Sequence, residues 1–339
     1  MGRRVYVPGL LAVVLALCGA VVALGPRSSS SSATAKPGGG SCRHHSCSSS
    51  PGPSSSSPTP PGTGPCGTIS APPARYRHVI WIWMENHSES SLSTAPYMSS
   101  LARQCGTASN WLDAGSGYDS EPNYIAATTG LTGSALSSFN CDCPQSSSNQ
   151  TTADNIFRQV RTAGLTERSY EESMPTNCSN TDSGGYAVKH NPAVFMMGGS
   201  DRAACQADDV PMGSNTAGRL VNDIASGTLP NFAFVTPNLC NDMHDCSVAT
   251  GDSFLKVLVA EILNSASYKS GDTLLVINTD EDTPVLNIVV APSVRPGTVV
   301  TATVGHYGEL RATEEALGLP LLGQAASAAA QDLRPAFNI

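Results

Sequence analysis

From residue 78 onward the chain alternates short, nearly continuous apolar runs with longer stretches whose apolar residues recur at helical spacing. HVIWIWME, 78–85, is rich in β-branched and aromatic residues and gives way to polar MENHS, so it reads as a strand ending in a polar loop. The same pattern predicts strands over 166–170, 231–238, 272–282 and 286–292, and helices over 96–104, 121–130, 155–163, 216–226, 254–264 and 308–317. Pro122 falls in a first helical turn, where its missing N–H costs nothing. Gly318 and Pro320 stop the last helix. Strands alternating with helices predict an α/β fold, a parallel sheet flanked by helices.

The chain before that pattern is of another kind. Arg3 and Arg4 precede an apolar stretch from Val5 to Gly25, which reads as an export leader over 1–25 with cleavage between Ala23 and Leu24. An uncleaved membrane tether through residues 5–25 is the alternative, since about 20 apolar residues suffice to cross a bilayer. Residues 26–65 are mostly Ser, Pro and Gly, a composition that buries too little apolar surface to offset chain entropy, and they read as a disordered linker. Residues 66–339 are then the catalytic domain. Ten cysteines follow Cys18, an even number that in an exported chain argues for disulfides. Spacing does not fix their partners; the expected pairs are Cys178 with Cys205 and Cys240 with Cys246, closing short loops, and Cys66 with Cys105. CRHHSC at 42–47 reads as a small loop in the linker rather than a zinc clip. All of this places the folded part outside the cytoplasm, secreted or on the cell surface.

Charge narrows the partners. The formal net charge is −8, but residues 1–77 hold seven basic residues and no acidic one, which leaves −15 to residues 78–339. That surface repels a polyanion, so no nucleic acid is expected as partner. A phosphate-bearing substrate needs a cation to offset the local field.

The polar clusters fall after strand ends, where open α/β sheets place their sites. Glu85 and Asn86 follow the first strand, and Asp280, Glu281 and Asp282 end the fourth. Oxygen donors of this kind suit Mg2+, Ca2+ or Mn2+ better than zinc. Ser120 precedes a helix whose free N–H groups would favour an anion, and beside a divalent cation its hydroxyl becomes a nucleophile. Taken alone, it reads first as a helix cap. PNLCNDMHDC, 237–246, gathers Asn238, Asp242, His244 and Asp245 between two cysteines. Lys189 and His190 in KHNP suit a phosphate oxygen, and His306 precedes the last helix. His244 and His306 are the candidate proton donors to a leaving group.

The order MENHS, SEPNYIAATTG, SYEESMP, VKHNP, PNFAFVTPNLCNDMHDC, LLVINTDED and HYGELRATEEALGLP resembles the bacterial phosphoesterase family of acid phosphatases and phospholipases C, within the alkaline phosphatase superfamily. The resemblance spans about residues 78–322 and is strongest to exported actinobacterial acid phosphatases. It implies a three-layer α/β/α sandwich with a mostly parallel central sheet, a divalent metal centre and a phosphorylated serine. It also implies roles: Ser120 as nucleophile; Glu85, Asn86, Asp280 and Glu281 as metal ligands; Lys189, His190, Asn123 and Asp242 as substrate-binding residues, with His244 and His306 at the site. The expected substrate is a small phosphomonoester or a phosphoinositide headgroup. A phospholipase C-type phosphodiesterase and an inactive surface binding protein are the rival readings.

Overall fold

The structure is a computed structural model that describes residues 64–339 apart from Ser116 and Ala328. The expected leader, the CRHHSC loop and nearly all of the linker therefore lie outside the described residues. The strands are β1 (His78–Met84), β2 (Gly106–Ala108), β3 (Trp111–Leu112), β4 (Glu167–Glu171), β5 (Asp209–Pro211), β6 (Phe232–Thr236), β7 (Thr273–Thr279), β8 (Asn287–Val290), β9 (Thr298–Val300) and β10 (Val304–Gly305). The helices are α1 (Pro96–Gln104), α2 (Ser120–Thr129), α3 (Ile156–Thr162), α4 (Asp201–Asp208), α5 (Arg219–Ser226), α6 (Val248–Asn264), α7 (Ala266–Lys269), α8 (His306–Leu317) and α9 (Leu333–Phe337).

Eight strands form one sheet in the order β5-β4-β6-β1-β7-β8-β2-β9, and β10 pairs with β3 apart from it. β1 lies near its centre, parallel to β6 on one side and to β7 on the other, with Val79 opposite Phe232 and Met84 opposite Thr279. All seven of its residues are buried, which is why it reads as an unbroken apolar run rather than an alternating one. Only β8 runs against its neighbours, because the short 280–286 turn returns the chain directly beside β7. Alternation along β1 sends Trp81 and Trp83 to the face covered by α8, where their indole N–H groups donate to Thr313 and Glu309. Phe157 of α3 packs on Phe232 and Phe234, and α2 packs on α8. Helices α1 and α5 each pack on α6 as a second group. A mostly parallel sheet flanked by helices is thus the observed architecture.

One boundary differs from expectation for a tertiary reason. Helix α6 starts at Val248, ahead of the expected 254, and takes in Gly251 and Asp252. Gly251 is needed because a Cβ there would meet Met243 Cγ at 2.3 Å. Asp252 accepts hydrogen bonds from Tyr97 N and Met98 N at 3.0 and 2.7 Å, and so caps α1, whose own cap residue Ala95 has no side chain to do it. Strands β2, β5 and β9, of three residues each, are too short to show a pattern.

The three expected disulfides are present, Cys66–Cys105, Cys178–Cys205 and Cys240–Cys246, and a fourth joins Cys141 to Cys143. Among the described residues no helix is long and apolar enough to cross a membrane.

Helix α8 carries a stability device. Glu314 is fully buried, accepts Leu322 N at 3.0 Å and leaves its other oxygen without a partner, and burial pushes its carboxyl up to about 9. The unfolded carboxyl ionises near 4.5, so the contribution of this group is complete below that pH and fades as pH rises toward 9. In Glu314→Gln the side chain is neutral throughout. Its melting temperature is therefore expected to gain on the wild type by about 3 °C or more between pH 4.5 and 8.5, since about 1 kcal/mol shifts a domain of this size by 2–4 °C. Parallel melting curves at both pH values would show that Glu314 does not titrate on folding.

Candidate active site

The carboxyl ends of β1, β6 and β7 lie side by side, and the loops that leave them supply most of the cluster. β1 hands over Glu85 and Asn86, β7 Asp280, and the loop after β6 Asp242. That last loop is tightly specified. Asn238 Oδ1 accepts Cys240 N and Asn241 N, Asp242 Oδ1 accepts His244 N at 2.8 Å, and the Cys240–Cys246 bond closes the turn. Glu85 N donates to Asp242 O at 2.9 Å, which pins the loop to the end of β1.

Glu85 is the hub. It is fully buried; Ser120 Oγ donates to its Oε2 at 3.1 Å, and the Tyr124 hydroxyl donates to its Oε1. His190 stacks on the Tyr124 ring, with Nε2 3.3 Å from Glu85 Oε2 and Nδ1 3.5 Å from Asp242 Oδ2. Glu85, His190 and Asp242 offer ligand atoms that all lie within 4.8 Å of one another. Asp280 joins them through Asn86 N, which donates to its Oδ1 at 3.2 Å. Ser120 is the first residue of α2 and does not cap it; its hydroxyl donates to Glu85 instead.

The electrostatics are those of a crowded set of acids. Burial, then the neighbouring Asp280 and Asp242, hold the Glu85 carboxyl well above its usual range. Burial pushes Asp242 up to about 8 and Asp280 to about 6, the latter restrained by the Asn86 N–H. Burial, aided by Lys189 and His244, drives His190 well below its ordinary value, so it is a neutral imidazole with a lone pair to give. Asn86 Oδ1, His190 Nε2, Asp242 Oδ2 and Asp280 Oδ2 are all buried without a hydrogen-bond partner. Four orphaned donor atoms among mutually repelling carboxylates fit a bound cation, which would satisfy each of them.

The structure groups the expected residues differently. Glu85, Asn86 and Asp280 stay together, and His190 and Asp242, expected to bind substrate, join them. Glu281 instead lines the neighbouring cleft, where burial and then Asp280 and Asp282 push its carboxyl up to about 8. A second cluster, Cys178, Cys205 and Asp209, offers no thiolate because the two sulfurs are bonded to each other.

Other placements differ too. His306 is fully buried, takes a hydrogen bond from Trp111 Nε1 on Nδ1 and bonds through Nε2 to Asp280 O at 2.6 Å. Burial lowers its pKa to about 4, so it is neutral, with no ring nitrogen left for a leaving group. It holds the turn that carries Asp280. Asn123 is likewise committed, accepting Ala114 N at 2.9 Å and donating to Asp119 O, and it braces the turn before Ser120. The start of α2 offers fewer free donors than expected, since Glu121 N already donates to Asp142 Oδ1 and Pro122 has none. Positive charge comes from Lys189, whose Nζ donates to Asp142 Oδ2 at 3.0 Å and lies 3.3 Å from His244 Nε2. Burial works against that charge, but Asp142 outweighs it and raises the pKa. His244 is partly exposed and holds Asp245 Oδ1 through Nδ1 at 2.7 Å, which leaves Nε2 facing Lys189.

Tyr124 and Asp142 are the residues that sequence reasoning did not single out. Tyr124 could have been found: it stands four positions after Ser120, on the same helix face. Asp142 could not, because nothing in a CDC loop points to a lysine far along the chain.

A family model described as the phosphoesterase family matches residues 83–320. A phosphatidylinositol-3-phosphatase from Mycobacterium tuberculosis is 30% identical over 262 residues, 75% of this chain and 81% of that protein. An acid phosphatase from Aspergillus fumigatus is 28% identical over 273 residues, covering 74% of this chain and 56% of that protein, so the chain spans little more than half of it. A solved protein of the alkaline phosphatase superfamily from Vibrio parahaemolyticus shares the fold, with a TM-score of 0.53 over 80% of this chain and 74% of that one at 14% identity.

Proposed function

The chain belongs to the phosphoesterase family, and on that premise we propose that it is an exported, cation-dependent phosphomonoesterase of acid phosphatase type. The observation that carries this reading is the Ser120 hydroxyl bonded to Glu85 beside the four orphaned donor atoms. Glu85, Asn86, His190, Asp242 and Asp280 would hold the cation. Their oxygen-rich set favours Mg2+, Ca2+ or Mn2+, and the His190 nitrogen adds Zn2+ to the ions worth testing. When bound, the cation supplies the positive charge that favours the serine alkoxide and offsets the phosphoryl group.

In this mechanism Ser120 Oγ attacks phosphorus in line as its proton passes toward Glu85 Oε2, and the bond from phosphorus to the leaving oxygen breaks. Lys189 holds a phosphoryl oxygen at the mouth. His244, aligned by Asp245, gives the leaving oxygen its proton. Water then cleaves the phosphoserine and restores the hydroxyl. Export is supported by the four disulfides and by the leader expected over 1–25. A phosphoinositide headgroup is a second reading of the substrate, favoured by the identity to the mycobacterial enzyme.

The test is phosphate release from p-nitrophenyl phosphate by residues 66–339, across acid and neutral pH, with and without chelator. Activity that chelator removes and one divalent ion restores is the expected result. Undiminished activity in chelator would refute the cation requirement, and a folded chain without activity would favour the diesterase or the inactive binding protein.

A further inference from the structure

The loops that flank the reactive cluster also line a cleft of about 800 Å3. Its lining is continuous in sequence with the reactive cluster: Tyr118 precedes Ser120, Glu281 and Asp282 follow Asp280, and Tyr307 follows His306. An ester whose phosphoryl group sits at Ser120 therefore has this cleft as the adjoining space for its alcohol. Three acids, Asp113, Glu281 and Asp282, are among the residues lining it, and none of those residues is basic. Two tyrosines supply the apolar wall. The Tyr118 and Tyr307 hydroxyls donate to Gly133 O and Leu131 O at 3.1 and 2.8 Å, which ties both polar tips to one loop and leaves the rings as wall. Asp113 is held in place as well, since its Oδ1 accepts Gly115 N and its own N–H donates to Thr283 Oγ1.

We propose that this cleft is the leaving-group pocket and that it selects phosphomonoesters whose alcohol carries a cationic nitrogen over those whose alcohol carries further phosphate. Aromatic rings beside fixed carboxylates attract an ammonium and repel an anion. The proposal rests on the phosphomonoesterase reading above and narrows it away from polyphosphorylated headgroups.

The test compares kcat/KM for phosphocholine, glycerol 3-phosphate and glucose 1,6-bisphosphate, with p-nitrophenyl phosphate as reference. Phosphocholine is expected to exceed the bisphosphate by about tenfold or more at low salt, mostly through KM, with glycerol 3-phosphate between them. Two arms read the cause. In a variant carrying Asp113→Asn and Asp282→Asn, with its melting temperature checked, the ratio of phosphocholine to bisphosphate should fall severalfold. In the wild type it should also fall at roughly 1 M salt, where screening acts within about 3 Å. Equal kcat/KM for the three substrates, or a ratio that neither arm moves, overturns the proposal while p-nitrophenyl phosphate is still hydrolysed. Failure on every substrate, the reference included, instead overturns the phosphomonoesterase reading, and this proposal with it.

Discussion

Ser120→Ala is expected to lower phosphate release by about 10^4-fold or more, the scale of losing a covalent nucleophile, while the protein folds as before. The two halves of that result follow from the same geometry. Ser120 stands in the first turn of α2 without capping it, so removing its oxygen does not cost the roughly 1 kcal/mol that a lost helix cap would. What is lost is the hydroxyl that donates to Glu85 at 3.1 Å. A second measurement separates a nucleophile from a hydroxyl that merely orients water. Wild-type protein quenched in acid during turnover of a radiolabelled phosphomonoester should retain label on Ser120, and the variant should retain none. Near-normal turnover by Ser120→Ala would end the assignment.

Glu85→Gln is expected to move activity and stability in opposite directions. The carboxylate sits fully buried beside Asp242 and Asp280, and its raised pKa reflects burial first and those two acids next. In cation-free protein the neutral amide relieves that repulsion, and the melting temperature should rise by a few degrees. Turnover should drop by about 10^3-fold, because the amide neither accepts the serine proton nor holds a cation as a carboxylate does. The cation's own stabilisation, about 2.7 kcal/mol at a hundredfold excess over Kd in the wild type, should shrink toward zero. A cation-free variant that melts far below the wild type would show Glu85 to be a structural anchor for Tyr124 and Ser120 instead.

Much of this was legible before the structure. β1 and β7 show as apolar runs because both of their faces are covered, and the acids after them stand out against those runs. Pairing of His190 and Asp242 with Glu85 was not legible, since the three come from separate loops that only the parallel crossovers bring together. The surroundings of His306 were not legible for a related reason. A histidine before a helix suggests chemistry, and only the indole of Trp111 and the carbonyl of Asp280 show it to be fully engaged. Glu281 adjoins Asp280 in sequence but lines the cleft, and successive residues after a strand need not face the same way.

Helix α2 has no solvent face: all ten residues from Ser120 to Thr129 are buried. Evolution in the laboratory will meet this as a closed door. A random library should return almost no active variants altered between 120 and 129, where each side chain is fitted to neighbours on every side. The stretches bordering the cleft, 113–115, 117–118 and 281–283, are part-exposed and are where a change of substrate preference can accumulate without losing the fold.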